Sequence, residues 1–238
     1  MEYYKKEFEV DIHDVDFNGV ARTSALMRLI QSTAQSQLTE GGMSYDSLKD
    51  KKRAFVLSRI RMEFTEDIHA YERLVGISFP CHSRGYSFLR CYELLRDGGI
   101  VGRAASVWAL IDTDTHALVK VNDFELGLTT FDPLDYPISR IVMPESMTLV
   151  GKYEVTYDSV DQNRHMNNTK YPDMYSNFLD LEGRRIEEIT INYRNEAPAG
   201  DVLTVLRGES EGRYYFRTFR SDGRINSEAE IRTVPLDC

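Results

Sequence analysis

Apolar and polar positions alternate with period two over most of the chain, and that alternation predicts strands. Residues 54–64 show it best: Phe55, Leu57, Arg59, Arg61 and Glu63 fall on one side, with Val56, Ser58, Ile60, Met62 and Phe64 on the other. Segments 2–11, 73–81, 86–96 and 100–112 are also strand-like, and Asp97-Gly98-Gly99 supplies a hairpin turn. One early segment switches to helical spacing, with Ala25, Leu26, Leu29, Ile30, Ala34 and Leu38 on one face and Gly41-Gly42 as its stop. From Phe131 to Pro144 the pattern lapses amid Pro133, Pro137 and Pro144. It then resumes with a strand at 150–158, a helix at about 168–181, and strands near 185–193, 201–209, 213–220 and 225–233. Pro172 is compatible with that helix because it falls in the first turn.

The same plan therefore occurs twice, and the residues repeat with it. Phe8-Glu9-Val10 and Val15-Asp16-Phe17-Asn18 lie over Tyr153-Glu154-Val155 and Val160-Asp161-Gln162-Asn163 at a constant offset of 145. Arg96-Asp97-Gly98-Gly99 resembles Ser221-Asp222-Gly223-Arg224 at an offset of 125, so the first copy carries extra residues between its helix and its later strands. The expected class is α+β, with each antiparallel sheet wrapping its own helix. The expected domains are residues 1–130 and 148–238, joined by a linker at 131–147.

Composition narrows the function. With 29 Lys+Arg against 38 Asp+Glu, the net charge of −9 argues against a general nucleic-acid or membrane-surface binder. Cys81, Cys91 and Cys238 form no CxxC pair and are odd in number, which fits a reducing compartment. No run approaches the length of a membrane span and the first residues show no signal-peptide pattern, so a cytoplasmic protein is expected. The oligomeric state is not legible; a homodimer is compatible with the pattern.

Phosphate-loop, dinucleotide, zincin and α/β-hydrolase motifs are absent, and His13, His69, His82 and His116 have no metal-ligand spacing, so neither metal nor cofactor is expected. The candidate chemistry lies in Val160–Tyr171. In an extended segment Asp161, Asn163 and His165 share one side, placing a carboxylate, an amide and an imidazole just before a predicted helix. A site that stabilises an oxyanion and positions a water needs such parts. Asn167 and Asn168 read more simply as turn and cap residues. The repeat places Val20 where the second copy has His165, while Asp16 and Asn18 match Asp161 and Asn163. Glu196, in Tyr193-Arg194-Asn195-Glu196, reads by itself as a solvated loop acid.

Taken together these stretches resemble the acyl-acyl carrier protein thioesterases. The resemblance is carried by Asp161-x-Asn163-x-His165-x-Asn167-Asn168 with Lys170-Tyr171, by Tyr193-Arg194-x-Glu196, by Arg103-Ala104-Ala105-Ser106-Val107-Trp108, and by Arg22-Thr23-Ser24 opening the first helix. It implies a tandem double hotdog fold, each half a long helix wrapped by an antiparallel sheet. It also implies hydrolysis of the thioester joining a fatty acyl chain to the phosphopantetheine of acyl carrier protein. Asp161, Asn163, His165 and Glu196 match the family's catalytic positions. Glu196, with His165, is the expected base that activates water; Asp161 would orient His165 or itself attack. Many plant members have a cysteine after this glutamate; here Ala197 stands there, so no acyl-enzyme can form at that position.

An apolar tunnel is expected in the first half, walled by Leu26, Leu29, Ile30, Val56, Ile60 and Met62, although ordinary core packing has the same signature. Acyl carrier proteins are acidic, so docking on this acidic chain needs a local cationic patch. Arg164, Lys170, Arg184, Arg185 and Arg194 are the candidates, and they read equally as solvated surface charge. The rival readings are an acyl-coenzyme A thioesterase, a non-catalytic acyl-binding module, and a hydratase or dehydratase on a related fold.

Overall fold

Strand-forming runs bounded by turn residues account for most of the architecture. In the computed structural model, which describes residues 3–237, the first half comprises β1 (Tyr4–Glu9), α1 (Thr23–Glu40), α2 (Tyr45–Asp50), β2 (Arg53–Phe64), β3 (Arg73–Pro80), β4 (Phe88–Arg96), β5 (Gly99–Asp112) and the short β6 (Leu118–Val119). The second half comprises β7 (Thr148–Glu154), α3 (Tyr171–Ser176), β8 (Arg184–Tyr193), β9 (Val202–Ser210), β10 (Arg213–Phe219) and β11 (Ile225–Pro235). One sheet runs in the order β1-β3-β4-β5-β2-β8-β11-β10-β9-β7, with β6 added to β5. The order of the second half is the mirror of the first. The duplicated plan thus closes on itself at an antiparallel β2–β8 seam, where Ile60 faces Ile191 and Met62 faces Ile189, all fully buried.

The inner face of this sheet holds the helices. Leu26, Met27, Ile30 and Ala34 of α1 are buried in one apolar cluster with Met174 and Tyr175 of α3 and the inward residues of both sheet halves. The helix sits so close to β3 that a Cβ built on Gly76 would lie 2.5 Å from Thr33 Oγ1 and 3.1 Å from the Phe8 ring. Gly76→Ala should therefore destabilise the fold by about 1–3 kcal/mol through overpacking, measured by urea denaturation. An unchanged midpoint would mean that α1 slides freely on the sheet.

Two expectations need correction. The alternation along β2 does not hold throughout, because the pairing with β5 skips a residue between Leu57 and Arg59. This bulge transfers the inward face from Phe55 and Leu57 to Ile60, Met62 and Phe64, and leaves Val56 on the other side. The second helix is also much shorter than 168–181. Asn168–Lys170 form a 3-10 turn, and α3 ends at Ser176. The Arg207 guanidinium takes the Phe178 carbonyl (2.6 Å), and the Asn18 amide binds the carbonyls of Leu181 (2.7 Å) and Arg184 (3.1 Å) while accepting from Gly183 N–H (3.0 Å). Those bonds hold the chain in a turn, yet Phe178, Leu179 and Leu181 still pack on the core, which is why their spacing looked helical. The extra residues of the first copy are the longer α1 together with α2.

The stretch expected as a linker crosses the outer face of the first half. Tyr136 is buried there against Phe79, Cys81, Cys91 and Ala105, with the Arg61 and Arg103 guanidinium groups 4.1 and 4.4 Å from its ring centre. Cys81 and Cys91 are free thiols within this outer cluster; Cys238 lies outside the described residues. No described helix is long and apolar enough to cross a membrane.

Candidate active site

Two loops of the second half build the site. In the first, Val160 pairs with Met166, the Asp161 N–H donates to His165 O (2.9 Å), and the Arg164 N–H donates to Asp161 O (2.9 Å). The Asp161 carboxylate closes the turn by accepting from the Asn163 N–H (2.8 Å). This segment is a tight hairpin rather than an extended run, so Asp161, Asn163 and His165 do not share a side by strand alternation. Arg164 carries the turn's left-handed position at φ +64°, where the first half uses Gly19 at +77°.

The second loop leaves β8 after Tyr193. The Arg194 and Asn195 N–H groups donate to Asn226 O (2.8 and 3.1 Å), while the fully buried Asn226 amide donates to Asn195 O (2.7 Å) and the Tyr171 hydroxyl (2.9 Å). Burial raises the Tyr171 hydroxyl to about 12, keeping it neutral. Two backbone bonds then lay the loops side by side, Met166 N–H to Ala197 O (2.8 Å) and Ala199 N–H to Arg164 O (3.0 Å). The result sets His165 Nδ1 3.2 Å from Glu196 Oε2, with the two side chains 36% and 57% exposed. The imidazole is thus paired with Glu196, not with Asp161, whose bonded oxygen is committed to its own turn.

Asn163, two residues before His165 on the same turn, lines a large cavity. Its Oδ1 accepts from the Tyr45 hydroxyl of α2 (3.1 Å), and both residues line a cavity of about 930 Å³ between α1, α2 and the first-half sheet. Ala34, Leu38, Phe55, Phe88, Trp108 and Leu128 supply apolar wall. None of the six residues expected to line a tunnel does so. Ile30, Ile60 and Met62 are sealed in the core, Leu29 packs against it, Leu26 borders a different pocket, and the β2 bulge turns Val56 away. The wall comes instead from the neighbouring stripe of α1 and from Phe55, whose ring meets Phe88 edge-on at 5.2 Å.

The five cations separate into two groups. Arg164 and Arg194 are exposed beside the His165–Glu196 pair and Lys170 is half-buried, although Arg194 already pairs with Glu228 (3.0 Å). Arg185 does not fit the docking expectation. Its side chain is 11% exposed and its charge is met by Asp67 at 2.5 Å. Arg184 is also tied down, its guanidinium donating to Thr233 O and Oγ1 (both 3.0 Å). Arg185 belongs to the first half's counterpart of the site, where Asn18 also holds the Arg184 carbonyl. There Ala21 N–H donates to Ile68 O (2.7 Å) as Met166 donates to Ala197, which places Val20 at the His165 position and Asp67 at the Glu196 position. A smaller cavity of about 430 Å³ lies against Val20 and Arg185.

Asn167 serves as a cap, its Oδ1 accepting from Thr169 N–H (2.9 Å) and Thr169 Oγ1 (2.8 Å). With that cap in place and only six residues in α3, the helix start adds little positive potential to the site. Residues 1–126 match the acyl-ACP thioesterase N-terminal domain, and residues 144–233 match the C-terminal domain. The chain belongs to the acyl-ACP thioesterase family. Among its relatives, chloroplastic oleoyl-acyl carrier protein thioesterase 2 of Arabidopsis thaliana is 26% identical over 85% of this chain. The Coriandrum sativum oleoyl-acyl carrier protein thioesterase is likewise 26% identical over 85%. The chain spans 62% of the length of each. The fold is that of an acyl-ACP thioesterase from Bacteroides thetaiotaomicron (TM-score 0.88, 21% identity, 97% of each chain). It is also that of the 12:0-ACP thioesterase from Umbellularia californica (TM-score 0.84, 17% identity, 98% of this chain and 97% of the other). As in those thioesterases, the architecture is a double hotdog.

Two residues of this family member's site escaped the sequence reading. Tyr45 lies on the unpredicted α2, whose signal was the Ser44 cap, with Ser44 Oγ accepting from Ser47 N–H. Asn226 was hidden in a strand, where the polar run Asn226-Ser227-Glu228, all buried, was its only mark.

Proposed function

We propose that the chain hydrolyses the thioester of fatty acyl-acyl carrier protein, releasing free fatty acid. The observation that carries this reading is the His165–Glu196 pair, on a turn whose Asn163 lines a large cavity, in a chain of this family. In this mechanism the Glu196 carboxylate accepts from His165 Nδ1–H and so fixes the tautomer with Nε2 as the base. Nε2 takes a proton from water as the water attacks the thioester carbonyl. With its oxygen bound to Tyr45, Asn163 has its NH₂ left to donate toward the developing oxyanion. Asp161 is a positioning residue that shapes the turn. The leaving thiolate needs little acid help, because a thiol has a pKa of about 8.5. The acyl chain occupies the first-half cavity, and Arg164, Lys170 and Arg194 are the cations offered to the acidic carrier. Free Cys81 and Cys91 thiols suit a cytoplasmic setting.

Thiol release from one acyl chain presented on acyl carrier protein and on coenzyme A tests the proposal. The carrier-bound substrate should turn over about tenfold faster or more in kcat/KM, a difference set by the docking charges. Equal rates, or a faster coenzyme A reaction, would favour the acyl-coenzyme A reading. Release from neither would remove the hydrolase reading.

A further inference from the structure

The wall of the acyl cavity contains a cation with no anion. Arg90, on β4, is 6% exposed and lines the cavity. Its Nη1 donates to two neutral oxygens, Gln37 Oε1 of α1 (2.8 Å) and Ser78 Oγ of β3 (2.7 Å), which fix the guanidinium plane. Its Nη2 is buried without a hydrogen-bond partner, and no carboxylate pairs with it among the described residues. A second donor shares this condition. Gln31 Nε2 of α1, lining the same cavity, is likewise buried and unpartnered.

A plain hydrocarbon chain gives these groups nothing. Packing methylenes against an unpaired guanidinium and amide leaves both desolvated without compensation, a cost that a purely apolar wall avoids. Burial lowers the Arg90 pKa from its usual value, but a guanidinium remains protonated, so the positive charge persists in the wall. Two buried unpartnered donors, with no buried unpartnered acceptor among the described residues of this cavity, define the complement: an oxygen that accepts.

Resting on the thioesterase reading above, we propose that the cavity selects acyl chains that carry an oxygen acceptor along the chain, as a hydroxyl, keto or carboxyl group, and that Arg90 and Gln31 are its specificity residues. The surrounding Phe55, Phe88 and Trp108 hold the hydrocarbon, and the two donors read the oxygen. A site built to bond a substrate oxygen rejects the analogue lacking it far more strongly than an apolar pocket discriminates by size.

The test is calorimetric titration with length-matched methyl esters, which have no free carboxylate at the head. The series comprises a saturated chain and its hydroxy, keto and ω-carboxy counterparts. The best oxygenated ester should bind about tenfold tighter or more than the saturated one. Arg90→Met should abolish that preference and strengthen binding of the saturated ester. Because Arg90 also bonds Gln37 and Ser78, Gln31→Met is the second variant. It removes no protein hydrogen bond, and it should narrow the preference about threefold or more. Saturated ester binding as tightly as every oxygenated one, or a preference unmoved in both variants, would overturn the proposal. Thioester hydrolysis by the same preparation is scored separately. A protein that prefers oxygenated chains but hydrolyses no thioester would sustain this inference and overturn the hydrolase reading alone.

Discussion

Replacing His165 with alanine should lower kcat on a carrier-bound acyl thioester by about a thousandfold while leaving the fold intact. The size follows from the role, since a positioned base contributes roughly 10²–10⁴ to such a step. Retention of the fold follows from the structure. The His165 side chain is 36% exposed and has a single polar partner, Glu196, while the loop is held by backbone bonds that alanine keeps. Glu196→Gln should cost less, about tenfold to a hundredfold, because the amide oxygen still accepts from Nδ1–H although its charge is gone. Asp161→Ala should act through geometry. Losing the bond to Asn163 N–H loosens the turn, so its loss in rate should be accompanied by greater backbone exchange at residues 161–165. His165→Ala with kcat near that of the unaltered protein would remove the proposed mechanism, whatever happened at Glu196.

The largest effect on stability is expected at Glu188, on the outer face of the β2–β8 seam. This carboxylate is 4% exposed and is held by Arg61 at 2.5 Å, Arg213 at 3.0 Å and Arg232 at 3.7 Å. Arg61 belongs to the first half, so the group ties the halves together. Removing it with Glu188→Ala strips Arg61 of its carboxylate and leaves Arg213 and Arg232 to Glu230, Glu187 and Glu63, and should cost about 3–5 kcal/mol in urea denaturation. Burial works against ionisation of Glu188, but Arg61 and Arg213 together outweigh it and hold the carboxyl below the ordinary range. A lowered folded pKa means that this stability is present above the unfolded value, about 4.3 for a glutamate, and is lost as pH falls through the lower folded one. The unaltered protein should therefore weaken in that acid window, and Glu188→Gln should show a shallower decline there. A loss below 1 kcal/mol in Glu188→Ala would mean that the seam rests on Ile60, Met62, Ile189 and Ile191 alone.

The strands were legible because each is a β-rich run closed by turn residues, a local signal, and β4–β5 with its Asp97-Gly98-Gly99 turn shows this best. The duplication was legible for the same reason, since both copies keep the Asp-x-Asn turn. What escaped depends on contacts distant in sequence. The β2 bulge swaps faces without changing composition, so the cavity wall could not be read from alternation. The end of α3 is set by Asn18 and Arg207, which lie far from it in the chain. Glu196 looked like any loop acid because its partner is 31 residues earlier, and only the resemblance singled it out. Arg185 looked like free surface charge until Asp67 was found against it.

The mirrored strand order has a consequence for how the two sites diverged. Had the β2–β8 seam joined two identical chains, symmetry would have forced any change at one site onto the other. Covalent tandem linkage lifts that constraint. One turn keeps His165 and a solvent-facing Glu196, whereas its twin holds Val20 and locks Asp67 onto Arg185. The linkage also makes the seam unimolecular, so its pairing is set by tether length rather than by concentration and survives dilution that would separate a weak dimer. On the proposed reading, tandem linkage lets one copy contain the acyl chain while the other carries the reaction centre.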